Sequence, residues 1–493
     1  MSSTATQILY NTATTRFRIR REIRDLVQYS SLLKSKCRPF ASIAKLVLAA
    51  LIVTGCTNPS EAEVPAADLD PIESPKLKKI LPITENLNII VVSFDAMRPD
   101  VLAPYGGSRA ATPNFSNFAE RSIVFENAYS VAPVTPTSFA AFFSGMLPTR
   151  VFHAWRFEAD LTLAGELSRA GYVTAAFVNN VQLTPERGFG KGFDLYEWRR
   201  NDPDEDFIQE VSAWIENSRD RKFFVWVHFL HPHAPYSVEP GAQPLYTEED
   251  FGRFAKTTGA SFEATDDNEI ARIRDLYLGE VWTADRLFGQ LIDRIQQIGL
   301  LQSSVVVLTS DHGEEFSEHG EFQHGRLYEE HLRIPLILYH PQGTPGRIED
   351  VRFQSIDLFP TLLHLAGQPI ERALDGEDLL LHSNSLSPPP VVGIAMSRAK
   401  GRLVSILDGS RKLIVTCNPE RHVELFDIEI DPLEKSNIAN MNEDIVAKLF
   451  QMLRARLGGA PCKMMERASR GVDQTEGLDT KSLEALRALG YIE

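Results

Sequence analysis

Three apolar runs in the chain end in residues able to do chemistry. The densest stretch is Ser304 to Pro335, SVVVLTSDHGEEFSEHGEFQHGRLYEEHLRIP. Val305 to Leu308 with Thr309 has the length and composition of a buried parallel strand, and it stops at Ser310-Asp311-His312-Gly313-Glu314. Open α/β sheets bind ligands outside the carboxyl ends of their strands, so an Asp-His pair at this exit is placed for a metal or an anionic substrate. Asn88 to Ser93 is a second such run, with Asp95 just beyond it. Phe223 to Phe229 is another, leading through VHFLHPHAPY with His228, His231 and His233 bounded by Pro232 and Pro235. Imidazole is a common metal ligand and a proton donor near neutral pH. A fourth stretch, Thr135-Pro136-Thr137-Ser138, precedes Ala140 to Phe143, a short helix that Gly145 can end. Its hydroxyls and free N–H groups favour an anion. Each feature alone has a plain structural use: Asp311 as a helix cap, the histidines as a surface loop, Thr135 as part of an N-cap. Their recurrence at strand exits is what argues for a site.

The elements that must hold these residues are readable around them. Gly171 to Val178 reads as a further strand and Pro335 to Tyr339 as another. Thr112-Pro113-Asn114 opens a helix with Thr112 as N-cap and Pro113 at its first position. From Asp266 to Leu300 apolar residues recur at helical spacing, and Ile356 to Leu365 is amphipathic. Gly401 to Ile430 changes to short alternating stretches, LVSIL, RKLIVTC and VELFDIE, which predict an antiparallel meander. A helix over Ile445 to Leu457 follows, and Ser482 to Gly490 is a final helical patch. The fold class expected is α/β, with a small C-terminal α+β subdomain.

With 493 residues, 43% hydrophobic and 24% charged, the chain is globular and too long for one compact core. Up to Gly55 there are nine Lys or Arg against two Asp or Glu, a net of +7; the remaining 438 residues carry 42 against 64, a net of −22. That acidic balance argues against nucleic acid as a partner. Lys45 is followed by LVLAALIVTG, ten residues too short to span a bilayer as a helix, ending at Cys56. The pattern resembles a bacterial lipoprotein signal in which Cys56 is lipidated, which implies a lipid-anchored protein of the bacterial cell envelope. TNPSEAEVPAADLDPIESPKLKK then reads as a tether. The organisation expected is residues 1–55 leader, 56–86 tether, 87–390 catalytic domain, 391–457 antiparallel subdomain and 458–493 linker with a terminal helix. Cys417 and Cys462 are either a disulfide or two thiols, and their distance decides.

NIIVVSFD, ATPNF, FFSGMLPTR, AGYVTAAF, HPHAPY, TSDHGE, HGRLYEEHLRIP, IDLFPTLLHLAG and LFDIEIDPLE, in that order from about Asn88 to Leu457, together resemble the sulfatase family within the alkaline-phosphatase-like superfamily. The resemblance implies a mostly parallel central sheet sandwiched by helices. It also implies Asp95, Asp311 and His312 as ligands of a divalent cation (Zn, Mn or Ca), with Thr135 both nucleophile and ligand. The substrate implied is a sulfated or phosphorylated glycan, lipid or small-molecule ester.

Some positions depart from the family pattern. Thr135 stands where sulfatases carry a Cys or Ser that becomes formylglycine, which Thr cannot form. Phe139 replaces an Arg, Asn179 and Val181 stand where a Lys and a His would contact sulfate, and His324 stands where another Lys would. A Thr nucleophile is more similar to the phosphodiesterase and phosphoethanolamine-type transferase branches. There His324, with His231 or His233, would bind a second metal or serve as proton carriers. A sulfatase-like lipoprotein that binds without chemistry is the remaining alternative.

Overall fold

The computed structural model describes residues 81–82, 84, 86–199, 204–236, 266–378, 380, 389–396, 401–418 and 420–468. The leader with Cys56, most of the tether, nearly all of Tyr236 to Ala264 and the Ser482 to Gly490 patch lie outside the described residues. The described residues all fall within one compact unit, Glu73–Glu493. Among them no helix is long and apolar enough to cross a membrane.

Eight strands form the central sheet: β1 (Asn88–Phe94), β2 (Ile123–Tyr129), β3 (Val173–Val178), β4 (Leu195–Trp198), β5 (Phe223–Phe229), β6 (Ser304–Ser310), β7 (Leu336–Tyr339) and β8 (Gly346–Gln354). Their order is β8-β2-β7-β6-β1-β5-β3-β4. β7 runs antiparallel to β2 and β6, and the other pairings are parallel. Every residue of β1, β5 and β6 is buried, because the sheet is covered on both faces. Strand period divides β1 accordingly. Ile90, Val92 and Phe94 pack in one layer with α1 (Pro113–Ala119), α4 (Asp204–Asn217) and α5 (Asp267–Ile298). Ile89 and Val91 pack in the other with α2 (Thr135–Ser144), α3 (Leu163–Arg169) and α6 (Leu358–Leu365).

The C-terminal meander is β9 (Val391–Met396), β10 (Arg402–Asp408), β11 (Arg411–Asn418) and β12 (His422–Asp427), antiparallel throughout. α7 (Glu443–Leu457) closes one face through Leu449, Leu453 and Leu457. The same core includes Val131, Ala132 and Ala141, and Ile394 N donates to Val131 O at 2.8 Å. The subdomain therefore braces the segment that feeds α2. Cys417 of β11 and Cys462 of α8 (Pro461–Ala468) form a disulfide with Cα atoms 5.2 Å apart, which resolves the pairing that spacing left open.

One expectation is corrected. Thr112 does not cap α1 through its side chain; its Oγ1 accepts from Ala103 N at 2.9 Å. Asp285 of α5 does the capping, accepting from Asn114 N at 3.1 Å and Phe115 N at 2.7 Å. A carboxylate is the stronger acceptor for free helix N–H groups, and it comes from an element far along the chain.

Candidate active site

The site is built where β1, β5 and β6 end side by side. Asp95 N donates to Phe229 O at 3.1 Å and His231 O at 3.2 Å, which ties the exit of β1 to that of β5. Ala96 then turns left-handed at φ 59°, rare for a residue with a Cβ. Two contacts hold it there: Ala96 N donates to Asp311 Oδ1 at 3.0 Å, and Tyr277 Oη donates to Ala96 O at 2.9 Å. On the other side Gly313 N donates to His331 O at 2.8 Å, and a Cβ at Gly313 would lie 2.0 Å from Glu330 O. Glycine is required because the loop after β6 passes directly over that backbone.

Thr135 is the first residue of α2, and Val134 before it makes no side-chain cap. The neighbouring hydroxyls turn to carbonyls instead: Thr137 Oγ1 donates to Val134 O at 2.8 Å and Ser138 Oγ to Asp311 O at 2.7 Å. Thr135 Oγ1 lies 3.2 Å from His312 Nε2 and 3.4 and 3.5 Å from the two Asp95 carboxylate oxygens. His312 Nε2 is also 3.4 Å from Asp311 Oδ2. Asp95, Asp311, His312 and Thr135 are all fully buried.

These residues fit a divalent cation. One ligand atom each from Asp95, Asp311 and His312 lies within 4.8 Å of the others. Asp311 Oδ1 accepts from Ala96 N and His312 N, while its buried Oδ2, close to His312 Nε2, accepts no hydrogen bond among the described residues. Burial, and the Asp95 carboxylate beside it, push the Asp311 carboxyl upward. Burial would raise Asp95 too, but His233, His228 and His312 hold it well below the usual carboxylate range. Two buried carboxylates sharing one space need a compensating positive charge. His312 Nδ1 donates to Gly313 O at 2.9 Å, which fixes the tautomer and turns the Nε2 lone pair toward the carboxylates, as second-shell carbonyls do for metal-binding histidines.

The other candidate histidines divide. His324 lies against His312, ring centroids 4.2 Å apart, and against His233 at 5.2 Å. Its Nδ1 donates to the buried Glu314 carboxylate at 3.3 Å, and His233 Nδ1 donates to Ala234 O. His231 is not brought to this group: Nδ1 bonds Glu280 and Nε2 lies 3.2 Å from Asp204 Oδ2. Burial opposes its charge, yet Glu280 and Asp204 push its pKa up to about 10. A ring with both nitrogens on carboxylates is a strut between the loop and helices α4 and α5, not a metal ligand.

Two residues that were given no role in the sequence reading stand against Asp95. Asn180 Nδ2 donates to Asp95 Oδ2 at 2.5 Å, while its Oδ1 accepts from Gln182 N at 2.7 Å. Nothing but its place at the exit of β3 marks Asn180 in the sequence. His228, one of the three close histidines, sits with Nε2 3.6 Å from Asp95 Oδ2 and Nδ1 3.0 Å from Ser93 Oγ. Phe139, where an arginine was expected, packs its ring 4.8 Å from Trp226 and 4.9 Å from His228.

The mostly parallel sheet thus sets a hydroxyl at a helix N-terminus against an Asp-Asp-His cluster, a group able to hold a cation and attack an ester. Residues 87–368 match the family model named Sulfatase, and the chain belongs to the sulfatase family. It is 26% identical over 427 residues to the choline-sulfatase of Rhizobium meliloti (strain 1021), covering 71% of this chain and 82% of that protein. Its fold is similar to that of a protein solved in complex with its substrate D-glucosamine-2-N,6-O-disulfate, with a TM-score of 0.65 and 20% identity over 80% of this chain and 100% of that one. It is likewise similar to the phosphonate monoester hydrolase of Agrobacterium radiobacter, with a TM-score of 0.64 and 20% identity over 75% and 96% of the two chains.

Proposed function

We propose that this chain is a metal-dependent hydrolase of a sulfate or phosphate ester in which Thr135 is the nucleophile. The observation that carries the reading is the position of Thr135 Oγ1, at a helix N-terminus, 3.2 Å from His312 Nε2 and 3.4 Å from Asp95. Asp95, Asp311, His312 and the Thr135 oxygen would hold the cation, which when bound neutralises a non-bridging ester oxygen and lowers the pKa of the hydroxyl beside it. The N-terminus of α2 adds fixed partial positive charge where the transferring group gains negative charge. Thr135 Oγ1 releases its proton to water and attacks sulfur or phosphorus in line, the bond to the leaving oxygen breaks, and His324 or His233 supplies that oxygen with a proton. Glu314 and the Ala234 carbonyl orient those two rings. Water then releases the group from Thr135.

The choline-sulfatase relative and the glucosamine disulfate complex support a sulfated glycan or small-molecule ester as substrate. A second reading, phosphodiester hydrolysis or phosphoethanolamine-type transfer, is favoured by Thr135 itself, because threonine cannot form the formylglycine of sulfatases. Turnover of nitrophenyl sulfate, phosphate monoester and phosphodiester by the purified chain, stripped of metal and given Ca, Mn or Zn in turn, tests both. Sulfate cleavage supports the first reading and diester cleavage the second; full activity in chelator contradicts the cation.

The lipoprotein-type leader, the acidic body and the disulfide support a lipid-anchored location in the bacterial envelope, where thiols oxidise. Cys56→Ser is expected to release the protein from the membrane fraction, and unchanged retention contradicts anchoring at Cys56.

A further inference from the structure

The loop between β6 and β7 carries a second group of metal-ligand type, which the chemistry assigned to Thr135 does not use. Glu315 and His319 come from its first half, and Glu330 and His331 from the turn ahead of β7. One ligand atom each from Glu315, His319 and Glu330 lies within 4.8 Å of the others. His331 Nε2 stands beside them, 3.1 Å from Glu315 Oε2 and 3.9 Å from Glu330 Oε1. Glu315 and His331 are fully buried; His319 and Glu330 are partly buried, which leaves a route in from solvent.

Both kinds of ligand are held as they are in the candidate active site. Glu315 Oε1 accepts from His319 N at 2.8 Å and Glu321 N at 3.0 Å, so Oε2 is the oxygen turned to the cluster, as Asp311 Oδ2 is beyond β6. His319 Nε2 donates to Glu434 O at 3.2 Å, and Tyr328 stacks on its ring with centroids 3.5 Å apart. That carbonyl fixes the tautomer and leaves the Nδ1 lone pair 2.7 Å from Glu330 Oε1. Two acceptors so close need a proton or a metal ion between them. A proton on Nδ1 serves that pair alone, whereas one ion serves Glu315 and His331 as well. Neither carboxylate makes an ion pair with a lysine or an arginine among the described residues.

Tetrahedral ligands at about 2.0–2.2 Å from an ion stand about 3.3 Å from one another, and the separations of 2.7, 3.1 and 3.9 Å here bracket that spacing. His231 differs, because its two carboxylates lie on opposite nitrogens and no third ligand joins them among the described residues. We propose that Glu315, His319, Glu330 and His331 form a structural metal site, apart from the one at Asp95 and Asp311, that takes a divalent ion of the zinc class. Two imidazoles with two carboxylates suit zinc above calcium or magnesium, which take oxygen ligands. The ion pins the loop that leaves His312 and carries His324 to the turn ahead of β7. Glu434, beyond β12, ties the same site to the subdomain.

Zinc binding by the full chain carrying Asp311→Ala, which removes a ligand of the other site, tests the assignment against the same chain with His319→Gln or Glu330→Gln added. Each is loaded with zinc, desalted and analysed for metal content, and its affinity is read by competition with a chromophoric chelator. One zinc per Asp311→Ala chain is expected, bound at least about tenfold more weakly after either added substitution, with a zinc-dependent rise in Tm that those substitutions remove. Either substitution decides if the other does not fold. No zinc retained by Asp311→Ala, in which case protonated histidines supply the charge, or an affinity unchanged by His319→Gln and Glu330→Gln, would overturn it. The readout is metal content and not turnover, so a failure of the Thr135 reading leaves this result standing.

Discussion

Asn180 fixes the carboxylate on which the rest of the site depends. Its Nδ2 donates to Asp95 Oδ2, and because Gln182 N holds its Oδ1, the amide cannot turn over to present an oxygen to the carboxylate. Orienting partners of metal ligands are typically worth tenfold to a hundredfold in affinity. Asn180→Ala is therefore expected to weaken cation binding by about 10–100-fold, measured by titration with a metal-buffered indicator, while circular dichroism stays that of wild type. Unchanged metal affinity would remove Asn180 from the site. That Asp95, Asp311 and His312 follow apolar runs and Thr135 opens a helix was legible in the sequence because that pattern is local, whereas the roles expected of them came from the family resemblance. Asn180 was not legible, since an asparagine in a loop has many local uses and only the register of β3 beside β5 brings it to Asp95.

At the scale of elements, the inner face of α2 explains the missing arginine. Phe139 is 2% exposed and packs on Trp226 and His228 of β5, so this position belongs to the core and not to the anion site. Phe139→Ala should cost about 3–5 kcal/mol by denaturant unfolding. Phe139→Arg should be more damaging still, since it buries an unpaired cation; a stable, more active Phe139→Arg enzyme would contradict this packing. His231 acts between elements too, joining the loop after β5 to α4 and α5. Its folded pKa, about 10, lies above the unfolded value of about 6.5, so the stability it contributes is fully present below about pH 6.5 and is lost as pH rises through about 10. The Tm difference between wild type and Glu280→Gln should shrink over that window; a constant difference would mean that no charge is shared. Three histidines within six residues look alike in sequence. What separates His231 from the others is Glu280, 49 residues further on, and such distance is why the strut read as a ligand.

Across the whole molecule, the subdomain and the catalytic sheet act as one body. Val131 and Ala132, just ahead of α2, share a core with β9, β10 and β11, so the meander helps to set where Thr135 begins its helix. The Cys417–Cys462 disulfide closes a loop with a sequence separation of 45 within that subdomain. The loop-entropy relation gives about 4 kcal/mol for such a closure, so Cys417→Ala with Cys462→Ala should lower Tm clearly and raise sensitivity to proteases in the C-terminal region. A Tm unchanged by the double substitution would show that packing alone holds the subdomain. The meander itself was readable from alternation and turns, and the mostly parallel sheet from fully apolar runs. The reversed direction of β7 was not, because a short buried strand has the same composition in either orientation.

The central claim is that Thr135 carries the transferred group. Its most direct test is acid quenching of the metal-loaded enzyme during turnover of the ester it cleaves best, followed by mass spectrometry of the peptide spanning Thr135. A sulfo or phospho group on Thr135, absent in Thr135→Ala together with a loss of turnover of at least about a thousandfold, is the predicted result. Undiminished turnover by Thr135→Ala, or the group on another residue, would contradict it.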